Sequence, residues 1–357
     1  MIRIALLFMA LLAACPLSAE PLLGYYRQPT LHGKTLVFHA EGDLWRVPVS
    51  GGTARRLTTH LERERFPHIS PDGRTVAFTA SYDGPTEIYL MPLAGGRPRR
   101  LTFEGVSGRR APYPVGWKSN EELLYATWFD SRRDTFQVAV RNVETGAREL
   151  IPLSQVSDGV HARKGRTFFF TRLPRQGSNA KRYTGGLIQK LWRYDLGSEE
   201  AMPLTADYEG TSRSPMVWKK RLYFVTDRDG TMNLWSMNLG GADLKQHTKF
   251  AGWDVQSASL HRGRIAFRNQ ADLWIYHIAK DTMRKIPIRL ASDFDQMRER
   301  WVSNPLRHLE SYGLSHDGRK VVLTVRGRTF VAPVKPGRLV RIPQKPQTRY
   351  RTCLLYT

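Results

Sequence analysis

Residues 70–78 read SPDGRTVAF, and residues 315–325 read SHDGRKVVLTV. Both place a polar turn ending in glycine just before an apolar run. Pro71 presets φ at about −65° for the second turn position, and Gly73 takes the left-handed conformation at no steric cost. Thr75 to Phe78 then reads as a strand. Two such hairpins, far apart in one chain, point to a longer repeat.

Alignment on an aromatic-centred strand exposes that repeat. It runs GDLWRVPVSGG from Gly42, TEIYLMPLAGG from Thr86, TFQVAVRNVETG from Thr135, QKLWRYDLG from Gln189, MNLWSMNLGG from Met232, ADLWIYHIAKD from Ala271 and, degraded, RTFVAPV from Arg328. The central positions are Trp45, Tyr89, Val138, Trp192, Trp235, Trp274 and Phe330, spaced by 44, 49, 54, 43, 39 and 56 residues. Before each stands an apolar strand (TLVFHA, TVAFTA, LLYATW, TFFFTR, LYFVTD, RIAFRN, KVVLTV), and after most a short run such as RRLT at Arg55 and Arg99 or MPLT at Met202. Each unit predicts one four-stranded antiparallel blade. A blade cannot bury both faces alone, so blades stack around an axis as a β-propeller. The tryptophans are expected chiefly in the core between blades. The Gly51-Gly52, Gly95-Gly96 and Gly240-Gly241 pairs read as hairpin turns, since no helix follows to hold a phosphate.

Six units run from about Tyr25 to Ile288, then RLASDFDQMRERWVSNPLRHLESY (289–312) breaks the pattern before the seventh. The fold expected is all-β: a six-bladed β-propeller of four-stranded antiparallel blades, a linker, and the first blade of a second, incomplete propeller. One seven-bladed ring is the alternative. The limits expected are a signal peptide at 1–19, the propeller at 25–288, the linker at 289–311, the start of the second propeller at 312–351, and a tail at 352–357 outside the native reading frame. On this reading the chain is the front of a longer protein.

The chain has 357 residues and a formal charge of +23. Met1 to Ala19 combines Arg3, an apolar stretch and Leu17-Ser18-Ala19, which reads as an export signal and a periplasmic address. A membrane anchor is the weaker reading, because the apolar run falls short of the ~20 residues a span needs. Leu12-Ala13-Ala14-Cys15 also fits a lipoprotein box with Cys15 lipidated. Cys15 and Cys353 are the only cysteines, so no disulfide framework is expected. No zinc-type Cys/His spacing occurs, and neither metal nor cofactor is expected. The basic charge suits acidic or carboxylate-bearing ligands; nucleic acid does not fit an exported chain.

SDFDQMRERWV (292–302), the renewed SHDGRKVVLTVRGRTFVAPV behind it, and GDLWRVPVSGGTARRLT close to the export signal together resemble the tricorn-like protease family over residues 21–351. The resemblance implies a six-bladed propeller, then a seven-bladed one, a PDZ-like module and a C-terminal serine-protease core. The catalytic residues belong to that core, so none is assigned here, and no Gly-x-Ser-x-Gly elbow stands in for them. It also implies that the first propeller gates peptide substrates and that paired arginines anchor the peptide's carboxylate end. Arg132 and Arg133, in FDSRRDTF, match that pair; a surface ion-pair cluster with Asp130 and Asp134 is the other account of them. The partners implied are peptides, with homo-oligomers of the full-length protein among the assemblies. The competing class is a non-enzymatic periplasmic scaffold of the Tol type, which binds envelope proteins. That family carries a small α/β domain ahead of its propeller, whereas blades begin here near Gln28. A glycan-binding propeller lacks the repeated acidic or calcium-type motif it would need.

Overall fold

The computed structural model describes residues 24–106, 108–131, 135–162, 165–173, 183–295, 304–345 and 348–355. It forms two compact units, divided between Asp293 and Phe294. The first contains six antiparallel blades, each built from consecutive strands. The inner strands are Arg27–His32, Arg65–Ile69, Tyr113–Trp117, Val156–Ala162, Ser212–Trp218 and Gln256–His261. Each packs on the next, and the sixth returns to the first, which closes the ring. Outside them lie the apolar second strands and then the aromatic-centred third strands. The outermost strands are short, down to two residues at Arg99–Arg100, Met202–Pro203 and Lys245–Gln246.

Six apolar clusters fill six seams, one between each pair of neighbouring blades. Alternation along a strand sends successive side chains to opposite seams. Val76 and Phe78 therefore face blade one while Ala77 faces blade three. Both faces being buried, the second strands read as continuous apolar runs. The tryptophans sit between blades as expected but are not equally covered. Trp45 is fully buried, but Trp192, Trp235 and Trp274 are half-buried. They face the preceding blade beside the two- to four-residue outermost strands, which are too short to cover a whole indole.

The threonine that recurs two residues beyond the fourth strand has a local cause. Thr58, Thr102, Thr205 and Thr248 each accept, through Oγ1, the amide of the second residue of the third strand (Leu44, Ile88, Leu191, Leu234) at 2.8–3.0 Å. The hydroxyl thus ends the ladder where the short fourth strand stops.

The ring continues beyond Ile288. Ile288–Leu290 forms a strand parallel to Gly52–Arg56, the outer strand of blade one, so Arg289 and Leu290 belong to a sheet and not to a linker. Tyr26 donates its amide to Ala271 O and its hydroxyl to Ile288 O, both at 3.0 Å, and Arg284 donates to Val49 O at 2.7 Å. The segment that follows blade six thus adds a fifth strand to the sheet of blade one.

The second unit holds a four-stranded antiparallel sheet of Leu309–Leu314, Lys320–Val325, Arg328–Pro333 and Val340–Arg341. Its first strand begins three residues before the expected start of the second propeller. Tyr312 and Leu314 are 74% and 63% exposed on this sheet.

Candidate functional site

The inner strand of each blade is a sheet edge, and here all six edges surround one cavity of about 310 Å3 on the axis. That is at the lower end of ligand-sized cavities, about 300–1,000 Å3. Every inner strand carries a break in register against its second strand. At four breaks a non-glycine residue adopts positive φ: Gln28, Phe66, Ser214 and Ser257. Proline follows three of them, at 29, 67 and 215; lacking an N–H, it suits a bulge on an edge strand. Cross-blade hydrogen bonds hold the bulges in place. Phe66 N donates to Gln28 Oε1 at 2.9 Å, and Ser214 N to Thr171 Oγ1 at 3.2 Å.

The two mouths of the channel differ. Where the inner strands end, aromatic rings gather. The His32 and His261 rings lie 4.4 Å apart across the closing seam, and Trp117 Nε1 donates to His68 O at 3.1 Å. Burial, with His32, Arg262 and Arg264 nearby, pushes His261 down to about 4, so its own ring is neutral at neutral pH. Where the inner strands begin, the mouth is basic. Arg27, Arg65 and Arg213 occupy one register position, immediately before the bulge, in blades one, two and five. The sequence signal was R-x-P, at RQP, RFP and RSP, which alignment on the third strand passes over. Arg110, Arg172, Arg228 and Arg268 extend the basic character around the remaining blades. Several are stacked on aromatic faces: Arg27 over Tyr25 at 4.2 Å, Arg228 over Tyr208 at 4.4 Å, Arg172 over Trp192 at 4.9 Å and Arg110 over Trp128 at 5.0 Å. Stacking orients these guanidinium groups, and Arg228 also pairs with Asp207 while Arg172 Nε donates to Gln155 Oε1 at 3.0 Å.

Arg132, Arg133 and Asp134 lie outside the described residues. The strands flanking them, Glu122–Thr127 and Gln137–Asn142, are the second and third of blade three, and the former ends at the basic mouth. Asp130 pairs with Arg148 of the outer strand of blade three.

Among the described residues one Ser-His-acid arrangement occurs, and it is walled in. Arg221 Nε donates to Ser236 Oγ at 3.1 Å, and Ser236 Oγ lies 2.7 Å from His247 Nε2. His247 Nδ1 lies 2.7 Å from Tyr276 Oη, which donates to Asp281 Oδ1 at 2.5 Å. Tyr276 spends its only proton on Asp281, so His247 must donate from Nδ1 and accept the Ser236 hydroxyl at Nε2. The chain of donors spans blades five and six. Ser236 is fully buried, and a tyrosine separates the histidine from its acid. This is a polar tie between blades, with no route for an acyl group to reach the serine.

A ring of six contiguous four-stranded antiparallel blades with bulged inner edges defines a β-propeller, and the family match agrees. Residues 23–282 match the tricorn protease N-terminal beta propeller domain family, and the chain belongs to it. It is 28% identical over 330 residues to a tricorn protease homolog of Saccharolobus solfataricus, which covers 92% of this chain and 30% of that protein. The crystal structure of the tricorn protease superposes with a TM-score of 0.75 at 23% identity, over 91% of this chain and 32% of that one. A putative TolB from Agrobacterium tumefaciens superposes at 0.51 with 18% identity, over 70% of this chain and 83% of that one, a likeness of fold alone. The chain spans about 30% of the length of the curated full-length relatives it matches.

Proposed function

We propose that this chain is the substrate-gating, peptide-binding propeller region of a tricorn-like serine protease. It handles peptide at the axial channel and supplies no catalytic residue of its own. The observation that carries the reading is the channel itself, whose basic mouth is edged by Arg27, Arg65 and Arg213 in equivalent positions. An extended peptide suits such a site: bulged edge strands offer unpaired backbone groups, and guanidinium groups clasp carboxylates through two parallel hydrogen bonds. On this proposal Arg132 and Arg133 anchor the peptide's terminal carboxylate, and the protein works in the periplasm after export. The test uses the full-length protein. Arg132→Ala with Arg133→Ala is expected to impair cleavage of peptides with a free C-terminal carboxylate and to leave their C-terminal amides much less affected. Equal loss for both would mean misfolding, and no loss for either would remove these arginines from the site.

A further inference from the structure

The second unit repeats the central hairpin of blade one with its charge reversed. Glu41-Gly42 joins the second and third strands of blade one, and Arg326-Gly327 joins those of the second unit. All four residues have positive φ, as a two-residue hairpin turn requires. In blade one Asp43 follows the turn, and Arg56 of the outer strand lies 3.5 Å from Glu41 and 3.3 Å from Asp43. In the second unit Arg328 follows, so two acids that meet an arginine are replaced by two arginines. Together with Arg307 and Arg349 they line an open cleft of about 680 Å3. The cleft is braced. Gly327 O accepts Gln344 Nε2 at 2.9 Å and Tyr350 N at 3.0 Å, which ties the segment after the fourth strand to the turn. Arg349 crosses Gly327, where a Cβ would stand 2.4 Å from its Cγ, and its guanidinium pairs with Glu310 at 2.6 Å. Glu310 is the one acid lining the cleft among the described residues, and Arg349 occupies it. No described carboxylate lies within ion-pair distance of Arg307, Arg326 or Arg328, and all three residues are exposed. Three accessible guanidinium groups around one cleft therefore lack a counter-charge. A single carboxylate would answer one of them. A phosphate group, with about two charges and several acceptor oxygens, can answer all three.

We propose that this cleft is a phosphate site, which takes free phosphate or the phosphate monoester of a small molecule through Arg307, Arg326 and Arg328. It is independent of the peptide-binding reading above and stands if that reading fails. Calorimetry on the full chain tests it, with inorganic phosphate, glycerol 3-phosphate and succinate as probes in chloride buffer at constant ionic strength. One saturable site for phosphate or its ester is expected, and the tighter of the two names the source. Succinate is expected to bind about tenfold more weakly, the scale of one lost charge-assisted pairing. Arg326→Asn with Arg328→Gln is expected to weaken phosphate binding by about tenfold or more. That variant is expected to melt no lower than the parent, because asparagine tolerates positive φ and neither arginine forms an ion pair in the fold. Lys219→Gln with Lys220→Gln, which removes two exposed charges from blade five, is expected to leave phosphate binding intact. Heat that never saturates, succinate binding as tight as phosphate, or phosphate binding that survives Arg326→Asn with Arg328→Gln overturns the site. Equal weakening by the lysine variant overturns it too, since the anion would then answer the basic chain as a whole.

Discussion

At the scale of single residues, buried ionisable groups set the pH response. His39 and His161 are both held near 4, chiefly by burial, against an unfolded value of 6.5. Between those pH values the unfolded chain carries protons the folded one lacks, so stability falls as pH drops from about 6.5 towards 4. Glu64 acts in the opposite sense. Its folded value of about 8 lies above its unfolded value of 4.5, so its contribution is present at low pH and is lost as pH rises through 8. Melting temperature is therefore expected to peak near neutrality and decline on both sides, by about 2–4 °C per kcal/mol for a domain of this size. Glu64→Gln, which still accepts from Tyr82, should flatten the decline between about pH 6.5 and 8 and steepen the acid limb, because Glu64 opposes the histidines between about 4.5 and 6.5. An unchanged alkaline limb in that variant would show that Glu64 is ionised in the fold. The aromatic positions give a second test. Trp45→Ala should cost about 3–5 kcal/mol as a fully buried large aromatic, and Trp235→Ala roughly half of that. Denaturant titration separates the two, and equal costs would contradict their different burial. Trp45 and Trp235 look alike in sequence, because the pattern marks the strand position and not how far the neighbouring blade covers it.

At the scale of elements, the Ser-Pro-Asp-Gly stretch was legible as a turn before a strand, and its hydrogen bonds show how the turn is held. Ser70 Oγ donates to Asp72 Oδ1 at 2.6 Å and accepts Thr75 N, while Asp72 accepts Arg74 N. Ser315, Asp317, Arg319 and Lys320 repeat every contact, with histidine in place of proline. The turns differ in their surroundings. A Cβ on Gly73 would stand 2.3 Å from the His32 ring of blade one, whereas one on Gly318 would meet nothing. Both glycines have positive φ, so Gly318→Ala is expected to cost about 1 kcal/mol in conformational strain. Gly73→Ala is expected to cost clearly more, because the seam must also shift. Comparable losses in thermal melts would place His32 elsewhere. Gly51, at φ +96, meets a further limit: an added Cβ would lie 2.5 Å from Pro287 O, just before the strand that joins blade six to blade one. That closure was not legible in the sequence. Ile288–Leu290 pairs in parallel with residues more than two hundred positions away, and three residues carry no periodic pattern that announces such a partner.

At the scale of the whole molecule, the repeat disclosed the ring because every blade repeats one burial problem and solves it with similar residues. The channel was less legible. Its defining residues lie on the inner strands, which vary most in composition because they face a cavity and not a core. The R-x-P triplets at 27, 65 and 213 mark them once the register is known. Two compact units in one chain predict two responses to protease: trypsin is expected to leave a core ending near Asp293, and loss of that core together with the second unit would contradict the division. The central claim is that peptide is handled at the axial channel through its basic mouth. Hydrogen exchange with mass spectrometry tests this directly, comparing the chain alone with the chain saturated by a peptide with a free C-terminal carboxylate. The account predicts added protection in 27–32, 65–69 and 212–218, with the outer strands of the same blades unchanged. Protection confined to the outer strands, or calorimetric binding with no change along the inner strands, would contradict it.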